Sequence, residues 1–156
     1  MYPADPINQN DLTGLCESAE AWCVVGILFG EEELPSGFAA WLKERSGSFV
    51  YYVDTENGNR AALSTGSCSA PGAGDFVRDF RDSCTTHDVG YDLMRFFDSS
   101  GKWGGTRRAV DNLLKDDLGG VCRSVALCRG PGCEIVAVTY VAGVRGYSLR
   151  QRYRVP

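Results

Sequence analysis

The sequence predicts a mainly α-helical protein with a single domain, and three observations support this class. At 156 residues the chain has the length of one domain. Within residues 76–97, apolar side chains recur in steps of three and four residues, which is the period of a helix. A second pattern of this kind covers residues 106–121, so the chain has two helices long enough to form a core between them.

The first part of the chain predicts shorter elements. Residues 15–29 favour a helix, and residues 38–45 (FAAWLKER) favour a short second helix. SFVYYV begins an aromatic, β-branched strand, which ends in a turn at Asn57-Gly58. Residues 64–75 are rich in small side chains and predict a loop.

The two long helices follow this loop. The buried stripe of the first consists of Phe76, Phe80, Cys84, His87, Tyr91 and Met94. The second helix is predicted to begin at a Thr106 cap and to end at the Gly119-Gly120 pair. A final apolar segment, EIVAVTYVAGV, fits a helix or a strand equally well.

The chain has seven cysteines and no CxxC pair, so the usual zinc and redox spacings are missing. Most are therefore expected to form disulfide bridges in an oxidising compartment, with one left free or paired with another chain. Residues 1–11 lack the basic start and apolar run of a secretory signal. We expect a mature, secreted chain without a transmembrane segment.

Charge is unevenly distributed along the chain. Residues 1–100 carry 16 acidic and 6 basic side chains, whereas residues 101–156 carry 4 acidic and 10 basic ones. The last residues, RGYSLRQRYRVP, combine arginine with tyrosine and could contact an anionic surface, or could be an ordinary solvated tail. The net charge of −4 argues against nucleic acid as a partner.

The only histidine, His87, lies on the buried stripe beside an acid, Asp88. Consecutive helical residues point about 100° apart, so these two side chains need separate partners. A carboxylate from the neighbouring helix could bind one imidazole nitrogen and leave the other free to accept a proton from water. Asp111 is the best candidate, because it lies at the edge of the apolar face of the second helix.

Simpler interpretations exist for each of these residues. His87 could be a core histidine whose hydrogen bonds are satisfied. Cys84 and His87 have the spacing of half a zinc site, but no second half is present. Asp111 could be a solvated or capping acid.

The segment CTTHDVGY, residues 84–91, resembles the Cys-x-x-His-Asp-x-x-Tyr helix motif of secreted phospholipases A2. Gly90 and the preceding DFVRDF resemble the bacterial and fungal branch more than the animal one. The similarity runs from AWL (40–42) through VCRSVALCRGPGC (121–133) to AVTY (137–140). It implies a mainly helical fold with two long antiparallel helices, linked by disulfides and carrying the site.

The resemblance also implies an activity, the calcium-dependent hydrolysis of the sn-2 acyl ester of glycerophospholipids at a membrane or micelle surface. His87 would be the general base and Asp111 would hold its imidazole. Asp88 would bind Ca²⁺, which would polarise the ester carbonyl and neutralise the oxyanion. Phe76 and Phe80 would line the acyl channel, and Tyr91 would support the site.

One position departs from the family pattern. Where the family has a second metal-binding aspartate, two residues before the first bridging cysteine, this chain has Gly66. The metal position would then retain Asp88 and the backbone carbonyl of Ser67. Calcium affinity follows the number of carboxylates, so we expect weak, millimolar binding, or rescue by another carboxylate such as Asp75.

The resemblance implies that Cys68 is bridged to Cys84 and Cys122 to Cys133. The first bridge would tie the 64–67 loop to the histidine helix. Three cysteines lie outside the family pattern. In one continuous helix Cys16 and Cys23 would be about 10 Å apart, and a bridge needs less than about 7 Å. We therefore expect one of them to pair with Cys128.

These expectations give a single domain, residues 1–156, with an N-terminal extension (1–39), a catalytic core (40–145) and a basic tail (146–156). An alternative function belongs to a different class. With Gly66 at the metal position, the chain could be a phospholipase-like module that binds membranes or acts as a toxin with little catalysis.

Overall fold

The computed structural model describes residues 16–68, 79–129 and 132–152, without the side chains of 125–129 and 147–152. The predicted fold class is confirmed, because five helices and one small antiparallel sheet make up these residues. In chain order the elements are α1 (Ala21–Phe29), α2 (Phe38–Ser46), β1 (Val50–Thr55), β2 (Gly58–Leu63), α3 (Arg81–Phe97), α4 (Thr106–Arg129) and α5 (Cys133–Arg152).

Helix α1 is shorter than predicted. It begins at Ala21 rather than at residue 15 and ends at Phe29, and Gly30 caps it with a φ of 78°, donating its N–H to carbonyls of the last turn. Residues 16–20 are not helical, so Cys16 can approach Cys23, and their Cα atoms lie 5.3 Å apart in a disulfide. The expected pairing of one of these cysteines with Cys128 is therefore wrong. The side chain of Cys128 lies outside the described residues.

The predicted strand is half of a β-hairpin. β1 and β2 pair antiparallel, with Val50 opposite Leu63 and Thr55 opposite Gly58. The second strand was not predicted, because its sequence, GNRAAL, has no aromatic or β-branched residue. Its burial against α3 and α1 holds it in place instead.

Helices α3 and α4 form the central antiparallel pair, joined by a short loop. The prediction started the first of these helices at residue 76, but α3 begins at Arg81, after a turn that contains Asp79 and Phe80. Residues 69–78, which include most of the predicted loop, lie outside the described residues.

The prediction that the second helix ends at Gly119-Gly120 is wrong, since α4 continues to Arg129. The helix is held in the core on both sides of Gly119-Gly120, because Leu118 before the glycines and Val121 and Cys122 after them are buried. Gly120 is needed for packing rather than for termination. A Cβ there would overlap the side chain of Asn57, at the tip of the hairpin.

The final apolar segment is helical. α5 packs on α4 through Ala137, Tyr140, Val141 and Val144, whose spacing follows one helix face. The disulfide between Cys122 and Cys133 joins the two helices, with Cα atoms 5.5 Å apart. None of the helices in the described part of the chain combines the length and apolarity needed to cross a bilayer.

Two apolar clusters flank the central helix pair. The larger lies between α1, α2, the hairpin and α3, and includes Ile27, Leu28, Phe38, Leu93 and Met94. The smaller lies between α3, α4 and α5. Because α1 contributes fully buried side chains to the larger cluster, residues 21–29 are part of the core.

Candidate active site

His87 and Asp111 meet between the two central helices. His87 Nε2 lies 2.7 Å from Asp111 Oδ1. The side chains of the two residues are only 9% and 6% exposed, so water screens the contact little. No described residue makes a hydrogen bond with His87 Nδ1. The imidazole is thus oriented by a carboxylate through one nitrogen and has its other nitrogen available for a reaction.

Tyr91 braces the same carboxylate. Its hydroxyl donates to Asp111 Oδ1 over 2.9 Å, and its ring lies 4.5 Å from the His87 ring, centroid to centroid. Trp103 packs edge-on against the Tyr91 ring. The structure places Tyr91 against the histidine–aspartate pair, where it fixes the position of the acceptor oxygen.

The close approach of α3 and α4 depends on Gly90. A Cβ at this position would lie 2.8 Å from Val110 Cγ1 and 3.3 Å from Leu28 Cδ1, closer than side chains tolerate. Gly90 is one turn after His87, and Val110 immediately precedes Asp111. The absence of a side chain at Gly90 therefore brings the imidazole and the carboxylate within hydrogen-bond distance.

Asp88, the next residue along α3, is half-buried. Burial raises its pKa to about 6, against the lowering effect of positive charge on His87, while nearby Asp92 raises it further. No hydrogen bond or ion pair joins the Asp88 carboxylate to any residue that the structure describes. A poorly solvated carboxylate that makes no hydrogen bond or ion pair has the chemistry of a metal ligand.

The segment from Ser64 to Cys68 lies beside this part of α3. A disulfide joins Cys68 to Cys84, with Cα atoms 5.2 Å apart. A Cβ at Gly66 would lie 3.9 Å from Thr85 Cγ2, so Gly66 packs against Thr85. Thr85 is about one helical turn before Asp88 on α3. Gly66 has a φ of 108°, a conformation that favours glycine.

The hydroxyl of Ser48 anchors the start of this segment. It lies 2.7 Å from the hydroxyl of Thr65 and accepts a hydrogen bond from the Thr65 N–H over 3.1 Å. Ser48 is buried, at 1% exposure. This contact is not predictable from local sequence, because it depends on the hairpin register that brings residues 48 and 65 together.

The residues that could hold calcium form a sparse set. Asp88 would supply one carboxylate, and Gly66 and Ser67 would supply backbone carbonyls. Across residues 16–68, 79–129 and 132–152, no three His, Cys, Asp or Glu side chains cluster as a metal site would require. The donors present fit a weakly held, hard cation better than a tightly bound one.

Of the two phenylalanines expected in the acyl channel, Phe80 lies in the described part of the chain. Phe80 is fully buried in the smaller cluster, with Cys84, Leu114 and Leu118. Phe76 lies outside the described residues.

An open cleft of about 510 Å³ lies along α4 and does not include His87. Arg60 and Asp117 form its floor in a two-pronged ion pair, with Nε–Oδ2 and Nη2–Oδ1 distances of 3.1 Å. Burial raises the pKa of Asp117, although Arg60 and Asn57 lower it. The cleft contains no histidine, and its exposed acid and amine, Asp116 and Lys115, have no buried carboxylate to orient them as His87 has.

Comparison with known proteins agrees with this geometry. The family model of prokaryotic phospholipase A2 matches residues 40–148, more than two-thirds of the chain. No curated protein and no solved structure matched the chain. The matched range contains His87, Asp88, Tyr91 and Asp111 and the Cys68–Cys84 and Cys122–Cys133 bridges, and the chain belongs to the prokaryotic phospholipase A2 family.

Proposed function

We propose that this chain hydrolyses the sn-2 acyl ester of glycerophospholipids, with calcium, and releases a fatty acid and a lysophospholipid. Family membership supports phospholipid hydrolysis in general. The observation that carries the proposal is the 2.7 Å contact between His87 Nε2 and Asp111 Oδ1, which leaves Nδ1 available as a base.

The chemistry follows from the two faces of the imidazole. With its proton on Nε2 donated to Asp111, neutral His87 accepts a proton from water at Nδ1. The oxygen of that water bonds to the ester carbonyl carbon. The bond to the glycerol oxygen then breaks, and His87 returns the proton to this oxygen. The negative charge of Asp111 stabilises the imidazolium between these two transfers.

Tyr91 keeps Asp111 in position during the transfers. Because its hydroxyl donates to the oxygen that faces His87, the carboxylate cannot rotate without losing two hydrogen bonds. We assign Tyr91 a positioning role, and Phe76 and Phe80 remain candidates for contact with the acyl chain.

Asp88 and the backbone carbonyls of Gly66 and Ser67 are the proposed calcium ligands. Bound calcium would polarise the ester carbonyl and stabilise negative charge on its oxygen. With one carboxylate in this set, we propose millimolar affinity. The lone, half-buried Asp88 carboxylate supports a cation at this position.

The test compares hydrolysis by His87→Ala, Asp111→Ala and the double variant. Each single change should lower kcat by at least about a thousandfold, and the double variant should be little worse, because the two residues act as a unit. Asp116→Asn, an exposed acid on the same helix, is the control. Wild-type turnover by a folded His87→Ala protein would refute the assignment of the base.

Gly66 favours one alternative, a phospholipase-like module that binds membranes with little catalysis. Vesicle binding without fatty-acid release in saturating calcium would support it. We favour the enzyme, because a module without catalysis would not need the buried arrangement of His87, Tyr91 and Asp111.

The setting of this activity is also a proposal. The three disulfides support secretion into an oxidising compartment. The family match begins at residue 40, which supports a catalytic core from that residue onward, on which residues 21–29 of the N-terminal extension pack. The proposed partner is a phospholipid membrane or micelle, and nucleic acid is not a proposed partner.

A further inference from the structure

The hydroxyl of Thr106 joins the start of α4 to the N-terminal extension. The sequence predicts this residue as a helix cap, whereas in the structure its hydroxyl donates to the backbone carbonyl of Ala19 over 2.5 Å. Thr106 is buried, at 4% exposure. Buried hydroxyls are generally hydrogen bonded, so the place of this bond, at the first residue of the helix that carries Asp111, is what matters.

The carbonyl that accepts this bond is held in place from two sides. A disulfide joins Cys16 to Cys23, with Cα atoms 5.3 Å apart, and both cysteines are buried. The carbonyl of Glu20, the residue after Ala19, accepts the Cys23 N–H over 3.1 Å at the start of α1. We call residues 16–23 the disulfide loop. Because the loop is closed by a covalent bond and tied to α1, it offers α4 an acceptor in a fixed position.

Two paths lead from Thr106 to the histidine–aspartate pair. Asp111 lies about one and a half turns further along α4. The Thr106 N–H also donates to the Trp103 carbonyl over 3.0 Å. Trp103 packs edge-on against Tyr91, whose hydroxyl donates to Asp111. A shift at the start of α4 would therefore reach the carboxylate along the helix and through the tyrosine that braces it.

Helix α1, which follows the disulfide loop, also packs against α3 and α4. Leu28 Cδ1 lies 3.3 Å from the position of a Cβ at Gly90, where the two helices are closest. The N-terminal extension thus contacts the helix pair at its crossing and at the start of α4. Neither the disulfide loop nor α1 falls within residues 40–148, the range of the family match.

We propose that Thr106 is a positioning residue for Asp111, and that the disulfide loop holds Thr106 in place. The proposal rests on the proposed function, because the pair that it positions is the proposed base and its acceptor. The hydroxyl acts at a distance, by fixing where α4 begins and hence where Asp111 meets the imidazole. Such precision matters, because displacing a catalytic group by 1 Å can cost about a hundredfold in rate.

The experiment uses the full chain and replaces the hydroxyl. Thr106→Val keeps the shape of the side chain and removes the donor, whereas Thr106→Ser keeps the donor. Val121→Ala, at a buried position in the other half of α4, controls for lost stability alone. Hydrolysis of phosphatidylcholine in mixed micelles gives kcat and KM, and urea denaturation gives the unfolding free energy.

A second measurement does not depend on turnover. His87 is the only histidine in the chain, so protein with isotope-labelled histidine gives a single set of imidazole signals in NMR. The Nε2–H signal is visible while the hydrogen bond to Asp111 protects this proton from exchange with water. Asp111→Ala provides the reference for its loss.

We expect Thr106→Val to lower kcat about tenfold, less than the full cost of a 1 Å misplacement. KM should stay within about twofold of wild type, because the hydroxyl positions a catalytic group rather than the substrate. The Nε2–H signal should broaden or vanish. Thr106→Ser should keep most of kcat and the signal, and Val121→Ala should keep both despite its loss of stability.

The disulfide loop is tested by replacing both Cys16 and Cys23 with alanine. This change leaves the Thr106 hydroxyl in place but releases its acceptor, so kcat and the Nε2–H signal should fall as they do in Thr106→Val. Adding Thr106→Val to the cysteine variant should cost little more, because both changes remove the same contact. Losses of kcat that multiply would mean that the loop does not act through Thr106.

Three results would overturn the positioning proposal: wild-type kcat and Nε2–H signal in Thr106→Val, no recovery in Thr106→Ser, or an equal loss of kcat in Val121→Ala at equal stability, which would mean a structural role. If Thr106→Val does not fold, the cysteine variant carries the test. Failure of the proposed function looks different. In that case wild type hydrolyses no phospholipid, whereas the Nε2–H signal still depends on Thr106.

Discussion

Replacing Gly90 with alanine adds one methyl group at the point where α3 and α4 are closest. The new Cβ would lie 2.8 and 3.2 Å from the two methyl groups of Val110. Ordinary carbon contacts are about 3.5–4.0 Å, so the helices must separate by up to about 1 Å. Val110 cannot yield easily, because it is β-branched and 1% exposed.

Two effects determine the change in stability. Overpacking a core costs about 1–3 kcal/mol, whereas alanine is favoured over glycine in a helix by up to about 1 kcal/mol. Gly119→Ala on α4 isolates the second effect, since a Cβ there meets only the flexible Arg123 side chain at 3.6 Å. We expect the unfolding free energy of Gly90→Ala to be about 1–3 kcal/mol below that of Gly119→Ala.

The effect on catalysis should be larger than the effect on stability. The His87–Asp111 contact is 2.7 Å long, and separating the helices breaks it. Misplacement of a catalytic group by 1 Å can cost about a hundredfold, so kcat should fall by about 10- to 100-fold. Urea denaturation and initial rates of fatty-acid release measure the two effects.

A second substitution tests whether the contact between residues 90 and 110 causes the loss of activity. Val110→Ala in the Gly90→Ala background removes the opposing methyl groups and should recover most of kcat, even if stability stays low. Wild-type kcat in Gly90→Ala, or a double variant no more active than the single, would refute the role given to this close approach.

Three further predictions concern charge. Calcium binding requires the ionised form of Asp88, and burial raises the pKa of this carboxyl to about 6. Calcium affinity measured by calorimetry should therefore fall about tenfold per pH unit below pH 6 and level off above pH 7. In Asp88→Asn this pH dependence should vanish. Gly66→Asp should raise calcium affinity by adding a carboxylate. It should also lower the unfolding free energy by about 1–3 kcal/mol, because the φ of 108° at residue 66 is unfavourable for aspartate. Unchanged calcium affinity in a folded variant would place the metal elsewhere. Arg60→Met should cost about 3–5 kcal/mol at pH 7 by leaving Asp117 buried without its partner. Because burial already raises the pKa of Asp117, the cost should shrink as the pH falls and the carboxyl becomes protonated, whereas Lys115→Met, an exposed control, should change little.

The long helices were predictable from sequence because one strong period governs each of them. Burial of every fourth or third residue placed His87 inward, and the edge position of Asp111 on the next helix indicated its partner. The final apolar segment was ambiguous, since its helical identity depends on packing against α4 and on the disulfide between Cys122 and Cys133.

The predictions from sequence were wrong where contacts between distant parts of the chain override the local conformational preference of a segment. Gly119-Gly120 is a common helix ending, but here Gly120 admits the side chain of Asn57 from the hairpin. The bridge between Cys16 and Cys23 forms because the helix begins later than its apolar pattern indicated. β2 and the Ser48–Thr65 contact depend on strand pairing, for which the Asn57-Gly58 turn is a local signal but the residues of β2 themselves give none.

The central claim is that the oriented imidazole of His87 hydrolyses one ester of a phospholipid. The most direct measurement uses phosphatidylcholine with palmitate at sn-1 and oleate at sn-2, and identifies the released acid by mass spectrometry with calcium and then with a chelator. We expect oleate alone, only with calcium, and none from His87→Ala. Equal release of both acids, or oleate release by folded His87→Ala at the wild-type rate, would contradict the account.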